Sequence, residues 1–203
     1  MNKTTFKRKV YLIPHSHIDV EWYWNKEEGS KRAVLIINEG LKCMEKSSSF
    51  TFAQDNVIFF PYLLENLPEE RVRILKEKIR DGKLEIVGGM WTQAEEAEPS
   101  GETLIRDILI GKNWVRKNFG IEVETAWQID TFGHIPQLPQ ILKKAEYKYL
   151  TFSRGVPPEI AQKIPNLFWG KSPDGSKILA GILPSKYEES FDLFMKSGHF
   201  ILI

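Results

Sequence analysis

The sequence contains a single cysteine, Cys43, among 203 residues. One cysteine excludes an intramolecular disulfide and a zinc site built from several thiolates. The sequence also lacks an apolar run long enough to cross a bilayer, and its basic start leads into no hydrophobic region of a signal peptide. We therefore expect a cytoplasmic protein that does not enter a membrane.

The sequence also has no large excess of positive or negative charge. The chain has 28 Lys and Arg residues against 27 Asp and Glu residues, for a formal net charge of +1. This balance provides no strong electrostatic attraction to nucleic acid, so we expect no nucleic-acid partner. The hydrophobic fraction of 42% is ordinary for a globular protein, and the length suits one domain or part of a large barrel.

The chemically richest segment is His15–Trp24, which holds two histidines, an aspartate and three aromatic residues. It follows Lys9–Pro14, an apolar segment that predicts the first strand of a parallel sheet, so the cluster should lie past that strand's carboxyl end. On an extended chain His17 and Asp19 point the same way and could bind one divalent metal, with ligands that suit zinc. His15 shares this direction and is assigned to orienting the ligands, although a histidine at a strand end is often structural.

Strands alternate with amphipathic helices as far as residue 152, a pattern typical of βαβ units and a parallel sheet. Predicted strands follow at Phe50–Ala53, Leu84–Val87, Thr125–Ile129 and Tyr147–Phe152, and predicted helices at Lys31–Ser47 with Ser30 as N-cap, Val57–Asn66, Pro68–Arg80, Pro99–Asn118 and Pro139–Ala145. Near the C-terminus, Pro173–Gly175 lies between apolar segments and predicts a β-hairpin.

Further polar residues follow the later strands. Asp130 directly follows the fourth strand, where it could be a catalytic carboxylate or a simple helix cap. Gly88 and Gly89 follow the third strand and predict positive φ angles or a close backbone approach. The default interpretation of the acidic loop Thr92–Glu98 is a solvated surface, with a catalytic role as the alternative. Arg154 follows the fifth strand and is a candidate to hold a carboxylate or a sugar hydroxyl.

Taken together, these motifs resemble glycoside hydrolase family 38, the retaining α-mannosidases. The matching segments are His15–Trp22, Gly88–Trp91, Pro99–Arg106, Trp127–His134 and Leu138–Leu142, which occur in the family's order. The resemblance implies an N-terminal (β/α)7 barrel, of which this chain would supply only the N-terminal portion of about five βα units. It also implies a zinc ion, with cobalt or another divalent metal as the alternative, and hydrolysis of terminal α-linked mannose with retention.

Individual roles also follow from the resemblance. His17, Asp19 and Asp130 match zinc ligands, and Asp130 matches the nucleophile that forms a covalent glycosyl-enzyme intermediate. His134, in the same segment as Asp130, is assigned with His15 to orienting the ligands. The remaining matches line the sugar subsite: Trp22 as the floor under the ring, with Phe132 and Arg154 beside it.

Two departures from the family pattern shape the domain prediction. Gln93–Glu95 stands where the family usually has Glu or a related residue followed by Pro-Asp, with Glu95 as the candidate to replace that Asp. No residue of this chain matches the family's fourth zinc ligand or its general acid. We therefore expect residues 1–186 to be an incomplete barrel domain and 187–203 to be a tail unrelated to the family, disordered or left by a frameshift. We expect the isolated chain to be inactive.

The expected substrate is an α-mannoside or a mannosyl oligosaccharide, and the expected protein partner is the remainder of the enzyme as a separate chain, or a second copy of this one. Two alternatives stay open. One is a non-catalytic module that binds metal or sugar, or a subunit of a split enzyme. The other is a metal-dependent carbohydrate deacetylase, which needs a second histidine in fixed relation to His17 and Asp19.

Overall fold

The structure is a computed structural model that describes residues 13–183. Within this range the strands are β1 (His15–Ser16), β2 (Phe52–Gln54), β3 (Leu84–Ile86), β4 (Thr125–Gln128), β5 (Tyr149–Phe152), β6 (Leu167–Lys171) and β7 (Lys177–Ile182). The helices are α1 (Lys26–Lys46), α2 (Phe59–Asn66), α3 (Glu69–Arg80), α4 (Gly101–Phe119), α5 (Leu138–Lys144) and α6 (Pro158–Ala161).

The strands form two adjoining sheets that are mostly parallel. One sheet has the order β1-β2-β3 and the other the order β4-β5-β7-β6. The amide of Gly88, after β3, donates to the carbonyl of Thr125 in β4 at 2.9 Å and links the two sheets. Strands β1 to β5 and β7 run parallel within their sheets, which confirms the predicted α/β architecture with parallel sheets. The complete barrel of seven units stays a prediction.

The predicted hairpin near the C-terminus is confirmed. Strands β6 and β7 pair antiparallel, with Lys171 opposite Lys177 at the turn. At that turn the carboxylate of Asp174 accepts hydrogen bonds from the amide and the hydroxyl of Ser176, at 3.0 and 2.8 Å. Asp174 thus forms the local side-chain-to-backbone bond that makes aspartate common in tight turns.

Helix α1 begins five residues earlier than the pattern of apolar residues predicted. The helix starts at Lys26, with the side chain of Asn25 accepting the amide of Glu28 at 3.0 Å. Asparagine is a strong N-cap, and the helix dipole favours acidic residues in the first turn. The helix therefore begins before Ser30. Ser30 is therefore not the N-cap: its hydroxyl lies within the helix and donates to the carbonyl of Lys26.

Helix α4 packs directly against the backbone that follows β3. A Cβ atom at Gly111 would lie 2.3 Å from the carbonyl oxygen of Gly89 and 2.6 Å from the amide nitrogen of Trp91. Gly88 and Gly89 have φ angles of 75° and 67°, as predicted for this pair. The absence of side chains on both partners lets the helix fix the loop that leads into the candidate site.

Some predictions fall partly or wholly outside residues 13–183. Most of the predicted first strand, Lys9–Pro14, and the whole tail 187–203 lie there. Where the chain is described, β1 is formed by His15 and Ser16, so His15 lies within the strand and not past its end. Within the described range, the helices are all too short or too polar to traverse a bilayer.

Candidate metal centre

Three of the predicted site residues converge at the carboxyl ends of β1 and β4. His17 directly follows β1, and Asp130 follows β4 after the fully buried Ile129. The Nε2 atom of His17 lies 3.7 Å from Oδ1 of Asp19 and 3.8 Å from Oδ2 of Asp130. One ligand atom from each of the three side chains lies within 4.8 Å of the others.

This donor set fits a divalent metal ion. One imidazole nitrogen and two carboxylate oxygens are the ligand types that zinc and similar ions take in proteins. Two carboxylates would also balance the charge of such an ion, which favours binding at a partly buried position. The group formed by His17, Asp19 and Asp130 can therefore hold a metal, whose identity the geometry leaves open.

Asp55 is a contributor that the sequence analysis missed. Its Oδ2 atom lies 2.5 Å from Nδ1 of His17, whereas the other ring nitrogen, Nε2, is the one near Asp19 and Asp130. Burial lowers the pKa of His17, but the bond to Asp55 and the charges of Asp55, Asp19 and Asp130 raise it more, so the net shift is upward. The available signal was that Asp55 directly follows β2, the strand that pairs with β1.

His15 lies in β1, two residues before His17. Its ring is edge-on to Trp127, with centroids 5.5 Å apart, and burial lowers the pKa of the imidazole. His15 does not belong to the group of three converging residues found among those described. Its role in orienting the ligands stays a prediction.

The three predicted sugar-binding residues line one open cleft with the metal group. This cleft has a volume of about 610 Å³, and His17, Asp19, Trp22, Asp130, Phe132 and Arg154 all contribute to its walls. Trp22 and Phe132 are each 64% exposed, so their ring faces are accessible to a ligand. The guanidinium of Arg154 lies 4.3 Å from the centroid of Phe132, and its Nη1 atom donates to Oδ1 of Asp130 at 2.5 Å.

The acidic loop after β3 is not simply a solvated surface. Glu96 is only 1% exposed, and its Oε2 atom accepts the amide of Ile135 at 3.1 Å. Oε2 of Glu95 accepts the amide of Phe132 at 2.7 Å. The default interpretation is therefore wrong for Glu96. Both carboxylates hold the segment that follows β4, whereas Glu98 is exposed as expected.

His134 connects this loop to the segment after β5. Its Nδ1 atom lies 3.0 Å from Oε1 of Glu96, and its Nε2 atom lies 3.0 Å from the carbonyl oxygen of Arg154. Burial lowers the pKa of His134, but the bond to Glu96, its charge and the carbonyl of Arg154 raise it more. Its contacts thus reach Asp130 through Arg154, and the predicted role in orienting the ligands stays a prediction.

The sequence matches one protein family over most of its length. Residues 7–196 match the model of the glycosyl hydrolases family 38 N-terminal domain, which extends into the segment assigned above to a tail. The chain is 32% identical to an α-mannosidase of Saccharomyces cerevisiae over 143 residues, which cover 70% of this chain and 13% of the relative. It is 31% identical to α-mannosidase 2 of Mus musculus over 149 residues, covering 72% and 13%.

Solved structures show the same relationship. An α-mannosidase from Enterococcus faecalis V583 superposes with a TM-score of 0.75 at 31% identity, over 87% of this chain and 20% of that one. A 4-α-glucanotransferase from Thermococcus litoralis, at 16% identity and a TM-score of 0.63 over 85% of this chain and 26% of that one, shares the fold alone. The chain thus spans a fifth or less of these α-mannosidases. It belongs to the N-terminal domain family of the family 38 glycosyl hydrolases.

Proposed function

We propose that this chain supplies metal ligands and the nucleophile of a zinc-dependent, retaining α-mannosidase. The observation that carries the proposal is the convergence of His17, Asp19 and Asp130 within 4.8 Å, at the carboxyl ends of parallel strands. Enzymes built on parallel α/β sheets place their chemistry at this edge. The names of the family 38 relatives supply the substrate class, an α-mannoside or a mannosyl oligosaccharide.

In this proposal His17, Asp19 and Asp130 hold the zinc ion. A divalent cation bound by these residues would bind vicinal hydroxyls of the sugar and help to distort the ring toward an oxocarbenium-like transition state. The parallel sheets and the likeness to the Enterococcus enzyme support a further step, that these strands are part of a (β/α)7 barrel. The cleft is then the mouth of that barrel.

Asp130 has a different neighbour on each of its two oxygens. Oδ2 faces Nε2 of His17 at 3.8 Å, and Oδ1 accepts the hydrogen bond from Arg154. We assign Asp130 as the nucleophile: a carboxylate oxygen bonds to the anomeric carbon while the leaving group departs with the bonding electrons. Water then releases the sugar from Asp130 with overall retention of configuration.

The aromatic side chains of the cleft suit a sugar ring. A pyranose presents an apolar face, and the exposed rings of Trp22 and Phe132 offer matching flat apolar surfaces. Arg154, stacked on Phe132, offers charged donors that suit sugar hydroxyls and the carboxylate of Asp130. We propose that these three residues line the sugar subsite.

The proposal assigns no general acid, which a retaining glycosidase also needs. An aryl α-mannoside with a dinitrophenolate leaving group avoids this requirement, because the leaving group departs without protonation. Hydrolysis of the adduct still lacks a general base, so we expect no sustained turnover by the isolated chain. We expect the purified chain, loaded with zinc, to release a single stoichiometric burst of dinitrophenolate and to carry a mannosyl adduct on the peptide that contains Asp130. Methyl α-mannoside, whose leaving group needs a proton, should not turn over.

The variant Asp130→Asn should abolish both the release and the adduct, and Glu21→Gln, from the same cleft, is the matched control. Tight zinc binding without an adduct on Asp130 would contradict the catalytic proposal and favour the non-catalytic metal-binding module. The deacetylase alternative gains no support, because the metal group found among residues 13–183 contains one histidine and not two.

A further inference from the structure

The register of β1 and β2 places Asp55 beside His17. His15 pairs with Ala53 and Ser16 pairs with Gln54 in the parallel ladder. One step further along both strands brings His17 and Asp55 next to each other, just past the last paired residues. The closeness of the two side chains therefore follows from the sheet itself and not from a mobile loop.

The hydrogen bond between these residues determines how His17 presents its ring. An ionised carboxylate only accepts hydrogen bonds, so Nδ1 of His17 must carry the proton that points at Oδ2 of Asp55, 2.5 Å away. In the neutral ring the lone pair is then on Nε2, the atom that faces Asp19 and Asp130. Both side chains are shielded from solvent, with exposures of 7% for His17 and 1% for Asp55.

Asp55 is itself held in place. Its second oxygen, Oδ1, has the side-chain amides of Asn56 and Gln54 at 3.4 and 3.5 Å. Asn56 also donates to the carbonyl of Ile18 at 3.1 Å and accepts the amide of Gln93 at 2.5 Å. The carboxylate is thus fixed relative to the segment that carries His17 and Asp19 and to the loop after β3.

We infer that Asp55 is a positioning residue: it holds His17 in the Nδ1-protonated tautomer, with Nε2 directed at the metal group, and is not a metal ligand itself. This inference rests on the metal site of the proposed function. Carboxylates that hold ligating histidines in this way typically contribute a factor of about 10 to 100 in metal affinity. The geometry assigns this role to Asp55 because it contacts the ring nitrogen that faces away from Asp19 and Asp130.

The first test compares zinc titrations of the full chain by calorimetry. Asp55→Asn should raise the zinc Kd about 10- to 100-fold, since an asparagine amide can donate to Nδ1 and favour the wrong tautomer. Leu75→Ala, at a buried position of α3 that does not line the cleft, is the control for a loss of stability. An equal loss of affinity in both variants would show that Asp55 acts through stability alone and would overturn the inference.

The second test needs no metal. Long-range proton–nitrogen NMR correlations of the metal-free chain, at a pH where His17 is neutral, should show protonated Nδ1 in the wild type and a shift toward protonated Nε2 in Asp55→Asn. A wild-type ring protonated on Nε2, or a tautomer unchanged by the substitution, would overturn the inference. A wild-type chain that binds zinc with the expected tautomer but forms no adduct on Asp130 would overturn only the catalytic proposal.

Discussion

The imidazole of His134 is 3.0 Å from the carboxylate of Glu96, and both side chains are largely shielded from solvent. The other ring nitrogen faces the carbonyl of Arg154, which can only accept a hydrogen bond. Both ring nitrogens therefore donate when Glu96 is ionised, and His134 is a cation in that state. Through this pair the loop after β3 determines where the backbone of Arg154 lies.

This arrangement predicts a specific dependence of stability on pH. The folded-state pKa of His134 is above its ordinary value. The stability that this residue contributes is therefore fully present below the unfolded-state pKa of about 6.5, and is lost as the pH rises through the higher folded-state pKa. We expect His134→Gln to lose about 2 kcal/mol of unfolding free energy at pH 6, and clearly less at pH 9.

Urea denaturation of wild type and variant across this pH range measures the difference. Lys163→Gln, an exposed substitution on another segment, controls for the loss of a positive charge. A destabilisation of His134→Gln that is the same at every pH would show that the ring acts by packing, through its contact with Phe152, and not as a charged partner of Glu96.

Asp19 provides the most direct test of the metal group. Its carboxylate is 40% exposed and within reach of Nε2 of His17, so its removal should cost a ligand without disturbing the core. We expect the wild-type chain to bind one zinc ion and Asp19→Ala to lose at least 10-fold in affinity at unchanged thermal stability. Metal analysis after dialysis, together with calorimetric titration, measures both quantities.

Glu21 is the matched control for that experiment. It lies on the same segment and lines the same cleft, but it does not belong to the converging group. If Glu21→Ala weakens zinc binding as much as Asp19→Ala, the chain attracts zinc through general negative charge and not through a defined site.

The contact between α4 and the loop after β3 predicts a large effect from one methyl group. Gly111→Ala places a Cβ atom 2.3 Å from the carbonyl oxygen of Gly89, and backbone atoms cannot move aside cheaply. We expect a loss of more than about 2 kcal/mol in the free energy of unfolding, measured by urea denaturation. Gly101→Ala is the control, since nothing lies within 4 Å of a Cβ atom at that end of the same helix.

Much of this architecture follows from local sequence signals. The alternation of strands and helices has a period that can be read directly, and parallel strands bring their carboxyl ends to one edge. This logic placed His17, Asp19 and Asp130 after strand ends, and the resemblance to family 38 implied that they share one metal site. The same resemblance, and not the strand pattern, implied that Trp22, Phe132 and Arg154 line one sugar subsite.

The supporting contacts could not be predicted in the same way. Asp55 and Glu96 are acidic residues in polar segments, and their burial depends on which strands are neighbours and how far each loop folds back over the sheet. The sequence indicates that a carboxylate follows β2, but not that a histidine lies beside it. The predicted start of α1 was wrong for a different reason. Apolar spacing indicates the buried face of a helix, whereas its first residue is determined by the N-cap, here Asn25.

We expect the carboxylate of Asp107 to lower the free energy of unfolding when it is ionised. Burial raises the pKa of Asp107 to about 6, although the amide and hydroxyl of Thr92 donate to it and lower the pKa in part. The folded chain therefore binds this proton more tightly than the unfolded chain, and stability falls as the pH rises from about 4 to about 6.

Asp107→Asn should be more stable than wild type by about 1 kcal/mol at pH 8, since partial exposure to solvent screens part of the effect. The gap should close below about pH 4, and Asp81→Asn, at an exposed position, should show no such trend. An advantage for Asp107→Asn that is equal at pH 4 and pH 8 would exclude the ionised carboxylate as its source.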